Sequence, residues 1–195
     1  MPKVFKSVVF SLLVCSIAGC AGGMSMDAAN RLEGTGDFNG ALAQFKQAHE
    51  EKPHDAAPLM GMARCHKALG DPKQSEQDYH DAVKADPLNG DAKVALATAL
   101  LDRKDFVEAK VLLDEAYNHD TKFAPAIIGQ AKLCEMQNDN DGAVAKYKEA
   151  VTLDPNNLEL RTTYVHALSL ANKWDDVKKE QAEIDRIKLS AAKKH

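Results

Sequence analysis

From Gly22 onward the sequence divides without a single insertion into five blocks of 34 residues, 22–55, 56–89, 90–123, 124–157 and 158–191. A fixed period of this length means that each block is one supersecondary unit. Such a unit cannot bury its oily side alone and must cover it with the next. Small residues recur in step: Ala29, Ala63, Ala97, Ala131 and Val165 at the eighth position, Ala41, Ser75, Ala109, Ala143 and Val177 at the twentieth. Ala48, Ala82, Ala116, Ala150 and Ile184 hold the twenty-seventh. These are holes, placed where two helix axes must approach to roughly 8–10 Å. Phe45, Tyr79, Leu113 and Tyr147 at the twenty-fourth position are the matching knobs, a place that falls to Gln181 in the last block.

Turn chemistry keeps the same beat. Gly36-Asp37, Gly70-Asp71, Lys104-Asp105, Asn138-Asp139 and Asn172-Lys173 mark the middle of each block, where Gly or Asn suits a left-handed helix end. Pro53, Pro87 and Pro155 close the second half of a block. Thr121 holds that place in the third, with Pro125 four residues on. Ala, Leu, Lys and Glu are abundant between turns and no strand-like alternation is present, so the chain reads as all-α, two helices per block.

The positional classes resemble the tetratricopeptide repeat, over almost the whole chain after Gly22. The aromatic usual at the fourth position is absent throughout. The resemblance implies a right-handed superhelical solenoid of about five hairpins over residues 26–191, ending in a capping helix whose outer face is polar. It also places the second, fifth, ninth, twelfth and thirteenth positions of each block on a concave, partner-binding wall. Those positions hold Met60, Val94, Leu101, Ile128 and Met136, with Arg64, Lys67, Lys132 and Glu135 among their charges. The expected groove is an apolar strip edged mainly by basic groups, suited to a peptide that supplies apolar anchors and an acid. The Lys and Asn pattern with which some family members clamp chaperone tails is missing, since Met26 precedes Asn30 and Met60 precedes Arg64.

The N-terminus carries a different signal. Lys3 and Lys6 precede an apolar run from Val8 to Ala18, too short to anchor as a span and ending in small residues, so residues 1–19 are expected to be an export signal. Ile17-Ala18-Gly19-Cys20 resembles the lipobox of bacterial lipoproteins. That resemblance implies acylation of Cys20, followed by a short tether over 20–25. Multiple acyl chains give lasting membrane attachment, at about 0.8 kcal/mol for each buried methylene. The same resemblance implies, from Ala21 rather than Asp after the cysteine, sorting to the outer membrane, and the expected location is its periplasmic face.

Losing Lys3 and Lys6 with the signal takes the net charge from −4 to about −6, without the basic footprint that a nucleic-acid partner requires. Residues 192–195 form a short basic tail. Cys65 and Cys134 lie two blocks apart in equivalent helices, too far for a disulfide, and read as core residues. The seven histidines offer no i, i+4 pair and no zinc motif. Asp139-Asn140-Asp141-Gly142 has the look of a calcium loop, but Gln137 and Lys148 stand where acids are needed. No phosphate loop or nucleophile constellation is present. No catalysis, cofactor, metal or small-molecule substrate is therefore expected; a protein or peptide partner and a membrane are. Small lipoproteins of this build resemble those of Flp/Tad pilus assembly and the pilotins of type IV pili. Adaptors of peptidoglycan enzymes, factors for outer-membrane protein insertion and accessory subunits of envelope enzymes share the same plan.

Overall fold

The computed structural model describes the backbone of residues 18–192 and the side chains of residues 25–192. Residues 1–17 of the expected export signal and 193–195 of the basic tail lie outside the described residues, as does the side chain of Cys20. Ten α-helices and no strand occur among the described residues. They form tandem hairpins, and the chain divides after Pro87 into two compact units.

In the first unit, α1 (Ala18–Gly34) pairs with α2 (Phe38–Glu51), and α3 (Ala56–Ala68) with α4 (Pro72–Ala85). Residues 20–25, expected to be a tether, are helical backbone within α1. The second unit repeats the hairpin three times: α5 (Gly90–Asp102) with α6 (Phe106–His119), α7 (Ala124–Met136) with α8 (Asn140–Leu153), and α9 (Leu158–Leu170) with α10 (Trp174–Ala192). First helices begin at 56, 90, 124 and 158 and second helices at 38, 72, 106, 140 and 174, so the period read from the sequence is the period of the structure.

The turns explain this regularity. Each hairpin bends through one residue of positive φ, Gly36, Gly70, Lys104, Asn138 or Asn172, between 57° and 84°. An Asp follows in four of them and caps the second helix. The carboxylates of Asp37, Asp71, Asp105 and Asp139 accept from the backbone N–H of Gly40, Gln74, Glu108 and Gly142 at 2.9–3.4 Å. Asp139 is thereby committed as a cap, which accounts for the calcium-like stretch without an ion.

The small positions are fully buried in the first four blocks, with Ala29, Ala63, Ala97 and Ala131 all at 0 % exposure. The knobs follow the same rule. Phe45 and Leu113 are both at 0 %, and each presses on a glycine at the sixth position of the next block, Gly61 and Gly129 respectively. A Cβ built on Gly61 would stand 2.5 Å from the Phe45 ring, so only glycine lets α3 approach so closely.

The missing aromatic of the fourth position has substitutes. Leu59 and Ile127 fill the place with aliphatic bulk. Elsewhere a polar group reaches across to the second helix of its own hairpin: Ser25 Oγ donates to the carbonyl of Gln44 at 2.6 Å, and Lys93 Nζ to Glu115 at 2.7 Å. Arg161, only 7 % exposed, is held by Glu180 and by the carbonyl of Pro155.

Candidate functional site

In the second unit, α7 and α9 face each other across a hollow of about 260 Å³. Ile128 and Lys132 sit one turn apart on α7 and line it together, because residues at i and i+4 share a helix face. Glu159, Leu160 and Thr163 line it from α9, whose start is fixed by Asn157: its side-chain Oδ1 accepts from the backbone N–H of Leu160 at 3.0 Å. Tyr147 rises from α8 behind them, 1 % exposed, and its hydroxyl donates to Glu135 at 3.2 Å. Burial, then the charge of Glu135, pushes the Tyr147 phenol far above its ordinary range, so it remains a neutral donor. The sixth position of this block holds Thr163 rather than a glycine, and Thr163 and the Tyr147 knob both line the hollow.

The charges of the hollow come one from each helix. Lys132 on α7 and Glu159 on α9 both line it, yet neither charged group has an ion-pair partner among the described residues. The floor between them is apolar, made of Ile128, Leu160 and the Tyr147 ring.

Two of the eight groove residues expected from sequence, Ile128 and Lys132, therefore meet at one site. Val94 is half-buried on α5 and Met136 is 40 % exposed at the end of α7. Leu101 departs from expectation: at 4 % exposure it belongs to the core of the second unit and presents nothing to a partner. In the first unit Met60 is half-buried, and Lys67 is exposed. Arg64 is exposed too, but Glu33 grips its guanidinium at 2.6 and 2.8 Å. That hydrogen bond raises the Arg64 pKa against the opposing effect of burial. The mainly basic edge expected of the groove is thus corrected. Arg64 is neutralised by a fork-to-fork pair with Glu33, and Glu159 adds an acid to the rim on which Lys132 stands. Glu159, Leu160, Thr163 and Tyr147 were missed as site residues. Glu159 is legible in the sequence, since it stands at a second position; Tyr147 reads there only as a knob.

Among the described residues no three His, Cys, Asp or Glu side chains gather where they could hold a metal ion, and no helix is long and apolar enough to cross a membrane. Cys65 is buried and Cys134 half-buried, and in both burial raises the thiol pKa.

A sequence model of the tetratricopeptide repeat matches residues 32–77 and 68–133, more than half of the chain. The chain belongs to the tetratricopeptide repeat family. No curated protein matches the sequence significantly. Among solved structures, this tetratricopeptide repeat chain is similar to PilF of Pseudomonas aeruginosa, at TM-score 0.77 and 16% identity over 87% of this chain and 77% of that one. It is also similar to PilW, described as a widely conserved type IV pilus biogenesis factor, at TM-score 0.75 and 15% identity over 85% and 77%. MamA from Desulfovibrio magneticus RS-1 aligns at TM-score 0.70 and 16% identity over 87% and 96%. At these identities the likeness is one of fold. The chain is a protein-interaction scaffold of tandem repeats, the kind of molecule that binds protein or peptide partners.

Proposed function

We propose that this repeat protein is a lipoprotein, acylated at Cys20 and held at the periplasmic face of the outer membrane, where it holds a component of a pilus or secretion machine during assembly. The reading is carried by one juxtaposition: a lipobox-like Ile17-Ala18-Gly19-Cys20 stands directly before repeats whose fold PilW shares. A scaffold whose described residues include no apolar span gains from acyl chains the lasting attachment that a periplasmic docking platform needs. The hollow between α7 and α9 is the place where the partner's side chain enters.

The test has two readouts. Cells expressing the full chain should incorporate labelled palmitate into it and retain it in membranes, whereas Cys20→Ser should lose the label and leave the membrane fraction. Wild-type protein purified from detergent-solubilised membranes should carry a pilus or secretin component. An unlabelled wild-type chain would remove the anchor, and recovery of a peptidoglycan enzyme instead would remove the assembly role.

A further inference from the structure

We infer that the first hairpin rides directly on the bilayer that holds the acyl chains of Cys20, with the corner between α2 and α3 set against the lipid headgroups and the Gly36 turn directed away from them. The inference rests on the reading of Cys20 as the anchor and adds the surface that the anchor brings to the membrane.

The length of chain between anchor and fold carries it. Packing begins at Ser25, which is 4 % exposed and whose Oγ donates to the carbonyl of Gln44 at 2.6 Å. Met26 follows, against the cluster of Ala29, Ala41, Phe45 and Cys65. Ser25 stands only five residues after Cys20, and the backbone between them belongs to α1. As helix that path is about 8 Å long, and even drawn out it reaches only about 17 Å. The headgroup layer on one side of a bilayer is itself about 5–7 Å deep, so the packed fold starts at its outer edge.

The register of the hairpin decides what else arrives there. Because α1 and α2 run antiparallel and meet at Ser25 and Gln44, each step back along α1 is matched by a step forward along α2. Cys20 therefore falls at the level of His49. The corner that follows, with Lys52, Pro53 and His54 all exposed, stands at or beyond the anchor. The turn at Gly36 lies at the other end of the hairpin, about 20 Å away along α1. The corner has no pull of its own, since Lys52 and His54 are offset by Glu50 and Asp55, far from the basic cluster that an anionic surface attracts. Contact is imposed by the anchor, and it leaves the turn end and flanks of the first unit open to a protein partner.

The test places the acylated full chain in vesicles of phosphatidylethanolamine and phosphatidylglycerol that contain a lipid spin-labelled on its headgroup. A fluorophore is attached at Lys52→Cys or at Thr35→Cys, both exposed positions, in a Cys134→Ala background in which Cys65 is fully buried. Quenching should be several-fold stronger at position 52 than at position 35. Insertion of about ten Gly and Ser residues after Gly23 adds a coil of about 16–19 Å and should erase most of that difference, while palmitate labelling and membrane retention persist. Equal quenching at the two positions, in a chain that carries the palmitate and stays with the vesicles, would overturn the inference and leave the anchor standing. A chain that carries no palmitate would remove the anchor and the contact together.

Discussion

Lys104 bends its hairpin at φ 65°, in the left-handed region that Gly36 and Gly70 occupy without a Cβ to clash. For an L residue with a side chain that conformation costs roughly 1–2 kcal/mol, part of which a glycine recovers at the expense of a more flexible unfolded chain. Lys104→Gly should therefore raise the stability of the second unit by about 1 kcal/mol in urea titration, and an unchanged or lower midpoint would show that the turn is held by something other than backbone sterics. A second residue-scale prediction concerns the buried pair of the first unit. His66 Nδ1 lies 2.5 Å from Asp78, whose other oxygen accepts from Gln74 at 3.0 Å, and Asp78 is 2 % exposed. The third block carries Leu100 and Leu112 at the equivalent places, both buried. Asp78→Ala should cost about 1–3 kcal/mol by stranding polar partners, while the double variant His66→Leu with Asp78→Leu, which copies the third block, should be neutral or stabilising. If the double variant melts lower than Asp78→Ala, the pair contributes more than a hydrophobic replacement can.

At the scale of helices, stacking depends on matched knobs and holes, and only half of each match was legible. The recurring Ala at positions eight, twenty and twenty-seven announced itself because the same small residue returns at each step. The sixth position did not, because only Gly61 and Gly129 hold glycine there while Asp27, Ala95 and Thr163 break the pattern. What makes those two glycines necessary is the knob of the preceding helix, a tertiary neighbour that no local pattern encodes. Gly61→Ala gains about 1 kcal/mol of helix propensity but drives a methyl into the fully buried ring of Phe45, an overpacking of about 1–3 kcal/mol. Melting should fall, and Gly61→Ala with Phe45→Leu should restore part of the loss; a rise in melting temperature for the single variant would mean that the ring has room to retreat. The groove was partly legible for a related reason. Periodicity told which helix face Ile128 and Lys132 share, but the burial of Leu101 and the capture of Arg64 by Glu33 depend on which neighbours lie close, and those distances appear only in the folded chain.

At the scale of the whole molecule, what limits a stack of this kind is the face that the last hairpin turns outward. On α8 the residues Val144, Tyr147 and Val151 are buried in one cluster with Leu160 and Tyr164 of α9. One period later α10 carries Lys178, Gln181 and Asp185, all exposed. Three substitutions thus separate a helix that demands a neighbour from one that refuses it, because a terminal repeat must keep its outer face wet. Lys178→Val with Gln181→Tyr and Asp185→Val would rebuild on α10 the surface of α8 and leave it uncovered. Helix content should persist, since none of the three is part of the buried set of α10, Ile184 and Ile187. The uncovered face would then find the same face of a second copy, and light scattering should show mass rising with concentration more steeply than for the wild type. A variant that stays at its original mass across the accessible range would mean that polarity on α10 does not cap the stack, and that stacking is limited by the geometry of the hairpin instead.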